Sequence, residues 1–112
     1  MRATVLCGAP DVRCEEVSGP KIQTPTDAII RLSATCICGS DLGPCRGLND
    51  VKAPMAMGHE YCGIVEEVGS AVNTVRPGQF VGGSFCVSDN TCPHCRFGFQ
   101  SSCEQREFMS GA

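Results

Sequence analysis

Apolar and polar residues alternate with a period of two along most of the chain. That period predicts strands rather than helices. The clearest case is Asp27 to Ile37, where Ile30, Leu32, Ala34 and Cys36 interleave with Arg31, Ser33 and Thr35, the pattern of a half-buried strand. Arg2 to Gly8 and Val12 to Val17 read as a strand pair joined at Ala9-Pro10-Asp11, residues that favour turns. Gly63 to Gly69 forms a short apolar and acidic strand. Arg76-Pro77-Gly78 signals a turn, after which Gln79 to Phe85 reads as a further strand. Ser40 to Cys45 allows one helical turn, with Pro44 limiting its length. No long amphipathic helix is visible. Short strands punctuated by Gly and Pro predict a mainly β, partly open barrel with short helical turns.

A chain of 112 residues supports one domain with a modest core, and a bound metal would add stability that such a core lacks. The formal net charge of -3 comes with scattered basic residues, which excludes the electrostatic footprint of a nucleic-acid or anionic-membrane binder. Ten cysteines could mean a disulfide scaffold in a secreted protein. The N-terminus argues against that, because only Ala3 to Leu6 precede Cys7-Gly8, too short a run for a signal peptide, and no segment approaches membrane-span length. The expectation is a cytoplasmic protein whose thiols are free or metal-bound.

Two clusters of metal-ligand residue types follow one another. The first is Cys38-Gly39-Ser40-Asp41 with Gly58-His59-Glu60, and the second is Asp89, Cys92, Cys95 and Cys103. The second is compact and four-membered, as a structural zinc site requires. The first offers too few ligands to saturate a metal, which is how a catalytic site keeps a position open. Taken alone, His59 could be a hydrogen-bonded core histidine and Ser40 a helix N-cap. Cys86, offset by three residues, and His94, inside the Cys92–Cys95 knuckle, compete with Asp89 for the second cluster, and spacing favours Asp89. Cys7, Cys14, Cys36 and Cys62 fall in or beside strand-like segments and read as small buried hydrophobes.

Gly58-His59-Glu60, Gly63, Gly69 and Val72, together with Cys38-Gly39-Ser40-Asp41, make the chain resemble the zinc-dependent alcohol dehydrogenases of the medium-chain dehydrogenase/reductase family. The resemblance covers essentially the whole chain and implies the GroES-like barrel of the N-terminal part of their catalytic domain. It implies that Cys38 and His59 hold a catalytic zinc, with a third ligand beyond Ala112. Glu60 is then an adjacent or alternative ligand, Asp41 the carboxylate that orients His59, and Ser40 the hydroxyl that passes the alcohol proton toward solvent. The family's structural zinc has four cysteines spaced by two, two and seven residues. Here Asp89 holds the first position and Cys92, Cys95 and Cys103 the rest. The three glycines are expected where φ is positive or backbones approach closely. Small Gly43 and Cys45 hint at a roomy substrate cleft.

The implied activity is hydride transfer between an alcohol, or its aldehyde or ketone, and NAD or NADP. No G-x-G-x-x-G follows a strand, so residues 1–112 are expected to be the GroES-like domain of a longer, homo-oligomeric dehydrogenase, inactive alone. A non-catalytic zinc-binding barrel is the alternative, although it would have no use for Cys38 beside His59 and Glu60. A dithiol redox module at Cys92-x-x-Cys95 lacks the βαβ context such motifs need.

Overall fold

The computed structural model describes residues 1–109. Among these residues, eight strands form three antiparallel sheets. β1 (Arg2–Gly8), β2 (Asp11–Glu16) and β4 (Met55–Ala56) form one sheet in the order β2-β1-β4. β3 (Ala28–Cys36), β5 (Glu60–Val68) and β6 (Phe80–Gly83) form the second, in the order β3-β5-β6. β7 (Cys86–Val87) and β8 (Glu107–Phe108) make a two-stranded clamp. Two single-turn helices, α1 (Leu42–Cys45) and α2 (Pro93–Arg96), complete the elements used below. The fold is mainly β, and among the described residues the sheets do not close into a barrel. No described helix is long and apolar enough to cross a membrane.

β1 and β2 pair as the alternation predicts, from Arg2 opposite Glu16 to Leu6 opposite Val12. β3 lies within the expected Asp27–Ile37 segment, while β5 starts three residues before Gly63. Pro77-Gly78 forms the expected turn, with Gly78 at φ +86° and the Gln79 N–H donating to the Arg76 carbonyl at 3.1 Å. The expected strand Gln79–Phe85 is interrupted. The ladder to β5 ends at the Tyr61–Gly83 pair, and the Ser84 hydroxyl then accepts the Cys86 N–H at 3.1 Å, turning the backbone into β7.

The fully buried core is small, centred on Leu6 (0 % exposed) and Val65 (1 %). Two expectations fail here. Leu32 on β3 is 55 % exposed, and Ala34 and Cys36 are exposed with it, so that face of the strand is bare rather than half-buried. Cys14 and Cys36 are likewise exposed, and Cys7 and Cys62 only partly covered. Alternation says which residues share a face and nothing about what packs on it.

Candidate metal centres

The register of β3 with β5 builds the first cluster. Cys36 pairs with Glu60, so the chain leaving β3 carries Cys38 past the residue entering β5, His59. Gly58, at φ +97°, makes the turn that delivers His59, a conformation a side chain would strain. Gly63 sits three pairs further along the ladder from Glu60, where a Cβ would overlap the Arg31 carbonyl of β3; beyond the far end of β5 a Cβ on Gly69 would overlap the Pro25 carbonyl. The signature glycines thus let β5 approach its neighbours closely, and that approach sets the ligand spacing.

His59 and Asp41 are each 4 % exposed. The Asp41 carboxylate is divided between two tasks. Its Oδ2 accepts the Cys38 N–H at 2.9 Å, while Oδ1 faces His59 Nδ1 at 3.4 Å, and neither of those last two buried atoms has another partner. A ring proton on Nδ1 would face this carboxylate and leave the Nε2 lone pair for the cluster. Ser40 Oγ lies 3.1 Å from Nε2. Ser40 is therefore not a helix N-cap: the turn Gly39–Asp41 is preceded by Cys38, and the capping contact is Asp41 to the Cys38 N–H.

Ligand atoms of Cys38, His59 and Glu60 all lie within 4.8 Å of one another. The Cys38 thiol is held below its ordinary value, chiefly by the Ser40 hydroxyl, then by the Ser40 N–H and His59. His59 is pushed up, chiefly by Cys38 and against the cost of burial, with Asp41 adding to the rise. A thiolate beside an imidazole is the donor pair that a borderline-soft cation selects. Three donors leave a fourth position open.

The second cluster lies in the loop that β7 and β8 clamp together. Asp89, Cys92, Cys95 and Cys103 also present ligand atoms within 4.8 Å of one another. Cys92 Sγ is 3.9 Å from Cys103 Sγ, and Cys103 Sγ is 3.4 Å from Asp89 Oδ1. Zinc–sulfur bonds of about 2.3 Å and zinc–oxygen bonds of about 2.0 Å in a tetrahedron require edges of about 3.8 and 3.5 Å. These two separations match tetrahedral edges, and with four donors within 4.8 Å of one another the residues fit zinc.

Local chemistry sustains this geometry. Asp89 Oδ1 accepts the Thr91 N–H at 2.8 Å and the Cys92 N–H at 3.3 Å, which hold its carboxyl well below the usual carboxylate range. The Thr91 bond is the larger cause. Asn90 takes the left-handed conformation (φ 56°) between them, and Pro93 opens α2 directly after Cys92. Burial, with Cys103 and Cys92 beside it, pushes the Cys95 thiol up to about 12. As thiolates beside the Asp89 carboxylate, these three sulfurs would need positive charge, which a divalent cation would supply while displacing their protons. Cys86 is elsewhere, its thiol directed at the Gln100 carbonyl 3.9 Å away, and His94 is exposed on α2.

The family profile described as alcohol dehydrogenase GroES-like domain matches residues 24–112. The chain belongs to this family. It is 40 % identical over 105 residues to the zinc-type alcohol dehydrogenase B of Aspergillus flavus, covering 94 % of this chain and 24 % of that protein. It is 36 % identical over 110 residues to a probable D-xylulose reductase A of Emericella nidulans, covering 95 % and 31 %. Among solved structures, the alcohol dehydrogenase of Thermus sp. ATN1 superposes with a TM-score of 0.89 at 38 % identity, covering 96 % of this chain and 31 % of that one. The chain thus spans between about a quarter and a third of the length of these relatives.

Spacing points to every residue of both clusters. It gives no indication of Phe85, whose ring meets His59 edge-on at 6.2 Å. A lone Phe between a strand and a ligand loop carries no periodic signal. The suspected room beside Gly43 is also limited, since a Cβ there would stand about 3.0 Å from the Asn49 side chain.

Proposed function

We propose that residues 1–112 are the GroES-like catalytic domain of a zinc-dependent alcohol dehydrogenase that exchanges hydride between an alcohol and NAD or NADP, working in the cytoplasm as a homo-oligomer. The observation that carries this reading is the three-donor cluster of Cys38, His59 and Glu60, with the Ser40 hydroxyl at its edge. A site that served only to hold the fold would be closed, as the Asp89 cluster is.

Cys38 and His59 are the catalytic ligands, and Glu60 or a residue of the longer parent completes the set. Zinc there supplies a Lewis acid that polarises the alcohol oxygen and lowers its pKa. Asp41 holds the His59 ring by Nδ1 and the Cys38 backbone by its N–H, so one carboxylate positions both ligands. Ser40 stands where its hydroxyl can accept the alcohol proton and pass it outward. Asp89, Cys92, Cys95 and Cys103 hold the structural zinc. The nicotinamide is bound by the remainder of the parent, so this chain alone is inactive.

The full-length parent, assayed for NAD+ and NADP+ reduction across a panel of primary, secondary and polyol alcohols, tests the reading. Turnover should vanish on zinc removal and return on zinc addition, and His59→Ala should abolish it. Zinc-independent turnover, or His59→Ala with wild-type activity, would overturn the proposal.

A further inference from the structure

A row of ring contacts runs from the His59 imidazole to the β7–β8 clamp that flanks the second cluster. Phe85 meets the His59 imidazole edge-on, with centroids 6.2 Å apart and planes at 66°. On its other side Phe85 lies nearly parallel to Phe108, at 6.0 Å and 9°. The Arg106 guanidinium covers the Phe108 ring at 5.9 Å. Phe85 immediately precedes β7 and Phe108 ends β8, and the Met109 N–H donates to the Phe85 carbonyl at 2.9 Å. The contact between the two phenylalanines therefore exists only while the β7–β8 clamp is closed.

Little besides the ligands closes that clamp. Its ladder has two pairs, Cys86–Phe108 and Val87–Glu107. The buried cluster of the lobe consists of Cys92, Cys95 and Cys103, the proposed ligands themselves. A short two-stranded ribbon is marginal by itself, and a lobe cored by metal ligands orders when the metal binds. Opening of the lobe would release Phe85 on the side where Phe108 now lies.

We propose that Phe85 is a positioning residue that couples the two clusters: zinc in the Asp89 cluster closes the clamp, seats Phe108 on Phe85, and so braces the His59 ring for metal at the Cys38 cluster. The proposal rests on the two-zinc reading above. Asp41 faces Nδ1 and the metal would take Nε2, whereas Phe85 opposes tilting of the ring about the line between them. The coupling is reciprocal, since whatever one bound metal does for the other site must be returned.

The test is calorimetric titration of zinc into the metal-free full-length parent, with the His59 ring resonances followed by NMR. Wild type is compared with Phe85→Ala, Phe108→Ala and, as a control, Phe97→Ala, a ring that is 81 % exposed on the same lobe. In the wild type the first equivalent should sharpen the His59 signals before zinc reaches that ring. The second equivalent should bind about fivefold more weakly in Phe85→Ala and Phe108→Ala than in wild type or control, the size expected from losing one aromatic pair. Two zincs bound by every variant with the same second affinity would overturn the coupling alone. A wild type that takes up one zinc and never perturbs His59 would overturn the two-zinc reading and the coupling with it. Should Phe85→Ala not fold, Phe108→Ala decides, because it leaves every group touching His59 in place.

Discussion

Asp89 meets two demands with one oxygen, since Oδ1 accepts the Thr91 and Cys92 N–H groups and also stands 3.4 Å from Cys103 Sγ. The hydrogen bonds that shape the turn thereby hold the carboxylate charged and aimed. Removing it should deprive the lobe of a ligand and of its turn at once. Asp89→Ala should lose lobe zinc to a mild chelator at least tenfold faster and melt about 5 °C lower, whereas Cys86→Ala should keep its zinc, because that thiol is directed at Gln100. Zinc content and thermal unfolding of the two variants check this, and zinc loss from Cys86→Ala alone would make Cys86 the ligand. Ser40 poses the complementary case at the open cluster. It touches His59 Nε2 without serving as a cap, so Ser40→Ala in the full-length parent should cut kcat by about a hundredfold and flatten its pH profile, with zinc content unchanged.

The elements place these residues through one antiparallel ladder. Pairing of Cys36 with Glu60 brings Cys38 to His59, and Gly63 permits it by letting β5 lie against the Arg31 carbonyl. Gly63→Ala should push β5 from β3 and cost about 1–3 kcal/mol in denaturant unfolding. An unchanged midpoint would mean that the strands can part without penalty. The other end of β5 is held by the turn before β3, where Asp27 accepts the Thr24 N–H and hydroxyl and the Gln23 N–H, and its carbonyl accepts the Gly69 N–H. These bonds, led by the Thr24 N–H, hold the Asp27 carboxyl below its ordinary 3.8. A depressed folded value stabilises the fold above the unfolded pKa, and that contribution is lost as pH falls through the folded one. Asp27→Asn should therefore melt below wild type at pH 7, and the two curves should converge as the pH falls through the depressed pKa of the folded Asp27. Most of this ladder is legible in the sequence, because alternation marks strands and fixed gaps mark ligands. The break at Ser84 is not, since a hydroxyl that captures the Cys86 N–H competes locally with the ladder and leaves the apolar pattern untouched.

Considered whole, the molecule draws its stability from two unlike sources. The two three-stranded sheets rest on ladders and on buried side chains such as Leu6 and Val65, whereas the lobe between β7 and β8 buries chiefly thiols. The second source is legible in composition alone, since ten cysteines in 112 residues far exceed what a small apolar core needs. The bareness of the β3 face is hidden there, because burial depends on what lies opposite and the chain spans only part of the length of its relatives. Two sources imply two transitions. Stripping the metal should unfold residues 86–108 locally and leave the sheets standing, since no ligand of the Asp89 cluster belongs to either of them. Hydrogen exchange with and without a chelator checks this directly: amide protection within Cys86–Phe108 should fall at least tenfold, while β1, β2 and the β3–β5 ladder retain theirs. Uniform loss of protection would show instead that the sheets cannot persist without the lobe. In that case the metal would hold the entire fold, and the aromatic contact from Phe108 through Phe85 to His59 would be the path by which the sheets depend on it.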